Sequence, residues 1–214
     1  MLDFKCQHCG ECCRRYYIIS LPREIEGQAK FLGMEKSEFL EKKAQLFLQI
    51  FPSGHTTEKS VVSSALIPKK FSEIIEGHLG YAPEFFIVIP MVAFLRKENG
   101  ECQFYEKEKG CTIYPARPLE CRLFPFISDR KVTDYSKAYP FCHGLHFKDE
   151  KLSYVDMSRL HFTQIADYCA LVKEKGFSKV WGTWPKKGIL LLEDKLVGKS
   201  LTDKEFFDCI APFA

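Results

Sequence analysis

Apolar residues recur along this chain at two spacings. Phe39, Leu40, Leu46, Phe47 and Ile50 fall at helical intervals and predict a helix over 37–51, ended by Pro52, Ser53 and Gly54. Residues 23–34, after Pro22, read as a helix whose last turn meets Gly33. Residues 156–175 read as a longer helix with an apolar face of Leu160, Ile165, Tyr168, Leu171 and Val172. Thr202, with Glu205 three residues on, has the capping-box pattern that opens a final helix. Strand signals are shorter: the β-branched and aromatic run at 16–20, the buried run at 85–89, and 189–192 after a turn at 186–188. Pro90 leaves open whether 91–96 continues as strand or becomes helix. Pro68 and Gly77 break 60–80 into short mixed elements, and 99–125 is rich in turns. The pattern is α+β, with no internal repeat and no low-complexity segment.

Composition narrows the class. At 214 residues the chain is one domain, or one with a modest appendage, and is long enough for a real core. Hydrophobic residues make up 46% and charged residues 28%, the balance of a globular protein. A net charge of +3 does not by itself imply nucleic acid or an anionic membrane. The longest apolar stretch, 85–95, contains Pro90 and is too short for a membrane span. The opening MLDFKC lacks the regions of a secretory signal, so a cytoplasmic location is expected.

Ten cysteines then need an explanation that works in a reducing compartment. Cys6, Cys9, Cys12 and Cys13 stand within eight residues, in the run CQHCGECC. Two residues between cysteines let both sulfurs turn to one ion, and that step occurs twice here. Gly10 lies inside the second step, where a tight or left-handed turn is needed. Cys13 is not expected to face the same way as Cys12, so one of the pair serves a second metal or stays a free thiol. Cys102, Cys111 and Cys121, with Cys142 beyond, form a second group among Pro115, Pro118 and Pro125. Arg117 and Arg122 bring positive charge near Cys121, which suits a site of clustered thiolates; pairing with surface carboxylates is the plainer alternative. Thiolates at this density call for a soft metal: zinc, copper(I) or an iron–sulfur cluster.

These runs resemble the YkgJ-type cysteine-cluster proteins, described as zinc- or iron-chelating and often as containing an iron–sulfur cluster. The resemblance rests on CQHCGECC, on CQF followed by GCTIYPARPLECRLFPF, and on the later CHG, which together span 6–144. It implies Cys6, Cys9, Cys12, Cys13, Cys102, Cys111, Cys121 and Cys142 as metal ligands. Ile113, Tyr114, Arg117, Pro118 and Arg122 belong to the same pattern, and Arg117 and Arg122 are taken with the first four cysteines as cofactor-binding. His143 stands where that family often has proline. The expected organisation is a metal-binding domain at 1–148, with a helical insert over about 22–80, and a helical and strand extension at 149–214 packed on it.

Eight thiolates exceed one four-ligand site. One 4Fe-4S cluster is favoured, chiefly on the resemblance, with a zinc module (Zn2+) as the alternative. The family's link to flagellin lysine N-methylation raises a protein-modifying enzyme as a further alternative. No glycine-rich cofactor fingerprint supports it, and no catalytic set stands out. His143, His146 and His161 offer material for acid–base work or ligation. Cys169 and Cys209 fall outside the pattern and read as buried hydrophobes. Lys173, Lys175, Lys179, Lys186 and Lys187 surround Trp181 and Trp184, a mixture that can hold nucleic acid but more often forms a solvated face. A protein partner or protein substrate is expected, with neither nucleic acid nor a membrane.

Overall fold

The computed structural model describes residues 3–4, 6–53, 61–126, 134–146, 155–192 and 199–211. The fold is α+β, and the chain forms two contact-dense units: Met1–Glu35 with Phe94–Ala166, and Lys36–Ala93 with Asp167–Ala214.

The second unit is organised by a mixed sheet. Its strands lie in the order Lys199–Thr202, Lys187–Leu192, Ala44–Ser53, Phe85–Phe94, and Val61–Ser63 pairs antiparallel with the start of the last. Ala44–Ser53 runs parallel to Lys187–Leu192, with Phe47 opposite Ile189 and Ile50 opposite Leu192. Lys187–Leu192 and Lys199–Thr202 are antiparallel. This corrects the helix expected over 37–51: helix covers only Lys36–Lys43, and the chain turns to strand at Ala44. Leu46, Phe47, Leu48 and Ile50 are all buried, which is the continuous apolar run of an interior strand rather than one stripe of a helix. Gly188 permits the close pairing, since a Cβ there would come within 2.6 Å of the Leu46 Cβ and 2.8 Å of its carbonyl oxygen.

The stretch 85–94 is strand throughout, through Pro90. The Pro90 carbonyl accepts from the Tyr168 hydroxyl at 2.7 Å, and that hydroxyl accepts from Trp181 Nε1 at 2.8 Å. Trp181 is 1% exposed, so it is a core residue and no platform for a stacked base. Phe177 packs against Trp181 with ring centroids 5.9 Å apart, and Phe177, Phe206 and Phe207 pack edge to face with one another. The final helix, Asp203–Ile210, starts at the expected capping box: the Thr202 hydroxyl accepts from the Glu205 amide at 3.2 Å, and Glu205 accepts from the Thr202 amide at 3.0 Å. Among the described residues no helix is long and apolar enough to cross a membrane.

The first unit is built from short pieces. These include helices Glu11–Arg15, Pro22–Phe31, Leu119–Leu123 and Tyr135–Ala138, and the hairpin of Tyr105–Glu106 with Gly110–Cys111. The strand expected over 16–20 is reduced to Ile19–Ser20. Its buried apolar residues, among them Ile25, Phe104, Ile113 and Leu119, are spread over short helices and loops rather than one sheet.

Candidate metal centre

The four-cysteine run takes its shape from Gly10. Its φ of 77° is left-handed, and a Cβ would lie 2.2–2.6 Å from three atoms of the Tyr105 ring. That turn feeds the helix Glu11–Arg15, which carries Cys12 and Cys13. The Tyr105 hydroxyl donates to the Cys9 carbonyl at 3.0 Å, and the Cys102 amide donates to the Cys13 carbonyl at 2.9 Å. Arg14 donates to Glu101 at 2.7 Å and to Glu11 at 2.8 Å, so the first cysteine run is tied to the segment around Cys102 by both backbone and side chains.

Two carboxylates make a second tie. Glu24 accepts from the Leu21 amide at 2.8 Å and from the Leu119 amide at 2.6 Å, while Glu120 accepts from the Ile19 amide at 2.8 Å. They hold the helix carrying Cys121 and Arg122 against the chain just after the first cysteine run. Burial pushes the Glu120 carboxyl up to about 8, with the Ile19 amide opposing and the Glu24 charge assisting.

Between these ties lies a cavity of about 280 Å³. Cys6, Cys9, Cys12, Cys13, Cys111, Cys121 and Cys142 all line it, so one wall gathers thiols from both sequence groups. All ten cysteines are free. Cys12 and Cys13 were expected to face apart, yet both line the cavity. Helix geometry explains this: the two sit side by side on a single turn, and their side chains hydrogen-bond each other. Cys102 does not line the cavity; it is buried behind it, within electrostatic reach of Cys12, Cys111 and Cys121. Cys169 and Cys209 are absent from the wall, and Cys209 is a fully buried thiol pushed up to about 12 by its burial. Among the described residues no three cysteine, histidine or carboxylate side chains draw together tightly enough to hold a single ion.

Hydrogen bonding with Cys13, and then burial, raises the Cys12 thiol; burial first, then neighbouring groups, raises Cys102 to about 11 and also lifts Cys111, Cys121 and Cys142. Cys12 contributes to the shift of each of those four, which makes it the hub of the cluster. A cation inverts this situation, because it deprotonates the thiols that it binds.

Arg117 works against the same burden, lowering Cys111. Its guanidinium lies 3.4 Å from the centroid of the Tyr114 ring, and its Nε donates to the Tyr114 carbonyl at 3.0 Å. The His8 ring centroid is 4.4 Å from that of Tyr114, tilted by 33°. Both groups pack against the Tyr114 ring. Neither Arg117 nor Arg122 has a carboxylate partner among the described residues, unlike Arg14 and Arg15, which both engage Glu11.

Sequence reasoning passed over His8, Tyr105 and Glu11 as parts of this wall. The signal for His8 lay in its place between Cys6 and Cys9, and in Gly110, where a Cβ would meet His8 at 2.8 Å. His143 is exposed and does not line the cavity, although Cys142 and Gly144 beside it do. The side chains of His146 and His161 lie outside the described residues.

A family model described as a putative zinc- or iron-chelating domain, CxxCxxCC, matches residues 5–143. The chain belongs to the CxxCxxCC family. The match takes in every cysteine from Cys6 to Cys142, the set that the two groups contribute, and the CxxCxxCC domain is accordingly a metal-binding one. Neither a curated protein nor a solved structure matches the chain.

Proposed function

We propose that this CxxCxxCC domain holds an iron–sulfur cluster, one 4Fe-4S centre, and serves in redox chemistry or metal handling. The observation that carries the reading is the gathering of seven cysteines from distant parts of the sequence on one cavity wall. The donor set fits: sulfur ligands suit iron–sulfur clusters, zinc and copper(I), and a four-iron cluster takes four of them. Two features favour the cluster over zinc. The thiols line a cavity of about 280 Å³, room for a many-atom group. Arg117 also sets a positive charge beside them, and hydrogen bonds and charge around the sulfurs tune such centres.

Cys12, on the helix that the Gly10 turn feeds into the cavity, is the first ligand we assign. Cys9, Cys111 and Cys121 lie on the same wall, with Cys6, Cys13 and Cys142 as the remaining candidates. Cys102 supports the centre from behind. When bound, the cluster would supply an electron-accepting and electron-donating site. The chain's own contribution is to fix the thiols through the Tyr105, Arg14, Glu24 and Glu120 ties and to place Arg117 beside them. Free cysteines at this density suit a reducing compartment, and a protein is the expected partner or substrate.

Purification without oxygen, followed by iron, zinc and sulfide analysis and a visible spectrum, tests the reading. Iron with matching sulfide and a broad visible band that bleaches on reduction is the expected result. A colourless protein carrying zinc alone would replace the cluster with a thiolate zinc module.

A further inference from the structure

The Arg117–Tyr114–His8 stack has more structure than charge compensation requires. A positive charge beside thiolates needs only an ammonium or guanidinium nearby. Here the guanidinium is held over a ring at 3.4 Å, its Nε is spent on the Tyr114 carbonyl at 3.0 Å, and His8 packs against the same ring. His8 itself stands at φ 55°, a conformation that is uncommon outside glycine, and Gly110 leaves the space that it fills. The chain thus accepts a strained backbone at His8 in order to complete the stack.

What remains unspent is the outer edge of the guanidinium. Its two terminal nitrogens have no partner among the described residues, and Arg117 is half-buried on the cavity wall. Arg122, exposed on the same wall, likewise has no partner among the described residues. Glu11, the one carboxylate that lines the cavity among the described residues, is already engaged by Arg14 and Arg15, so it does not cancel either charge. A fixed guanidinium presents parallel N–H donors that match two oxygens of a carboxylate or phosphate, which a lysine ammonium cannot do. The cavity is at the small end of ligand clefts, a volume suited to a metal centre with a ligand of a few atoms and not to a large second cofactor.

We infer that the cavity takes a small oxyanion beside its metal centre, gripped by the free edge of Arg117 with Arg122 at the rim. The inference rests on the metal-centre reading and extends it from a buried group to one that meets a diffusible carboxylate or phosphate.

The test uses the metal-loaded full chain, prepared without oxygen. Inorganic phosphate and acetate are titrated in, with chloride at matched ionic strength as the control. The visible spectrum and the Arg117 Nε–H resonance are followed, the latter assigned by its loss in Arg117→Lys. Saturable shifts with phosphate or acetate and none with chloride are expected. Arg117→Lys, with its metal content measured in parallel, should lose at least tenfold in anion affinity per bound metal, because it retains the charge and removes the fork. Arg122→Gln should weaken binding by a smaller factor. An Arg117→Lys protein that responds like the parent overturns the inference, and so does one that has lost its metal, since Arg117 is then only a support for the centre. Metal analysis of the same samples separates the two failures. A parent chain without metal overturns the metal-centre reading, whereas a metal-loaded parent with no saturable response overturns the anion site alone.

Discussion

The two units of this chain solve the problem of a core in opposite ways. The second unit closes a mixed sheet over Leu46, Leu48, Ile50, Phe86 and Phe206, each fully buried, and its stability comes from apolar area removed from water. The first unit has short elements, and its most densely functional part is a cavity walled by thiols. One interior is complete in itself. The other is a ligand set whose members repel when ionised, so it gains its final stability from a cation. Cysteine serves both, as a hydrophobe at Cys209 and as a donor at Cys12, and only the surroundings distinguish the two roles.

Removing the metal gives the largest expected separation. A strong chelator should abolish hydrogen-exchange protection at the Arg14 and Cys102 amides, which are bonded within the first unit, and leave the paired amides of 46–50 and 188–192 protected. Equal loss in both units would show that the sheet also depends on the metal.

The same substitution placed in each unit comes next. Cys12→Ser should remove most bound metal and reduce solubility. Cys209→Ser should leave metal stoichiometry unchanged and cost about 1–3 kcal/mol in denaturant unfolding, from a buried hydroxyl without a partner. Metal loss in the second variant would break the contrast.

Glycines sharpen it further. Gly10→Ala meets the Tyr105 ring and adds about 1–2 kcal/mol of left-handed strain, so bound metal should fall along with stability. Gly188→Ala presses on Leu46 and should cost about 1–3 kcal/mol with metal content intact. Melting curves paired with metal analysis read both.

The smallest effect is electrostatic. Lys70 at 2.5 Å and the Thr202 amide hold the Glu205 carboxyl at about 2, below its ordinary value. A depressed folded value stabilises above the unfolded one, so this contribution is present near neutrality and disappears as pH falls from about 4.3 towards 2. Glu205→Gln should flatten the pH dependence of melting in that window. An unchanged slope would mean that the exposed pair contributes nothing measurable.

How far the sequence could be read differs between the units in the same way. Short-range chemistry was legible: the four-cysteine run at 6–13, the Gly10 turn, and the Thr202–Glu205 cap all depend on neighbours a few residues away. The strand at 44–53 was not, because Leu46, Phe47 and Ile50 satisfy a helical spacing equally well. Only the parallel partner at 187–192, far along the chain, decides between the two. His8 and Tyr105 escaped notice for a related reason, since their roles come from contacts with Tyr114 and with the Cys9 carbonyl. The corrected expectation about Cys12 and Cys13 shows the limit of spacing rules: adjacent side chains on a short helix can share one cavity.

The hydrogen bond from the Cys102 amide to the Cys13 carbonyl joins residues that leave the ribosome at very different times. At ordinary elongation rates the first cysteine run waits roughly 5–20 s before Cys102 is even synthesised. During that interval Cys6, Cys9, Cys12 and Cys13 are a nascent chelator without its other half, open to scavenged ions and to oxidants. Loading is therefore a late event in the life of the polypeptide, and expression conditions during translation will influence which metal a purified sample contains.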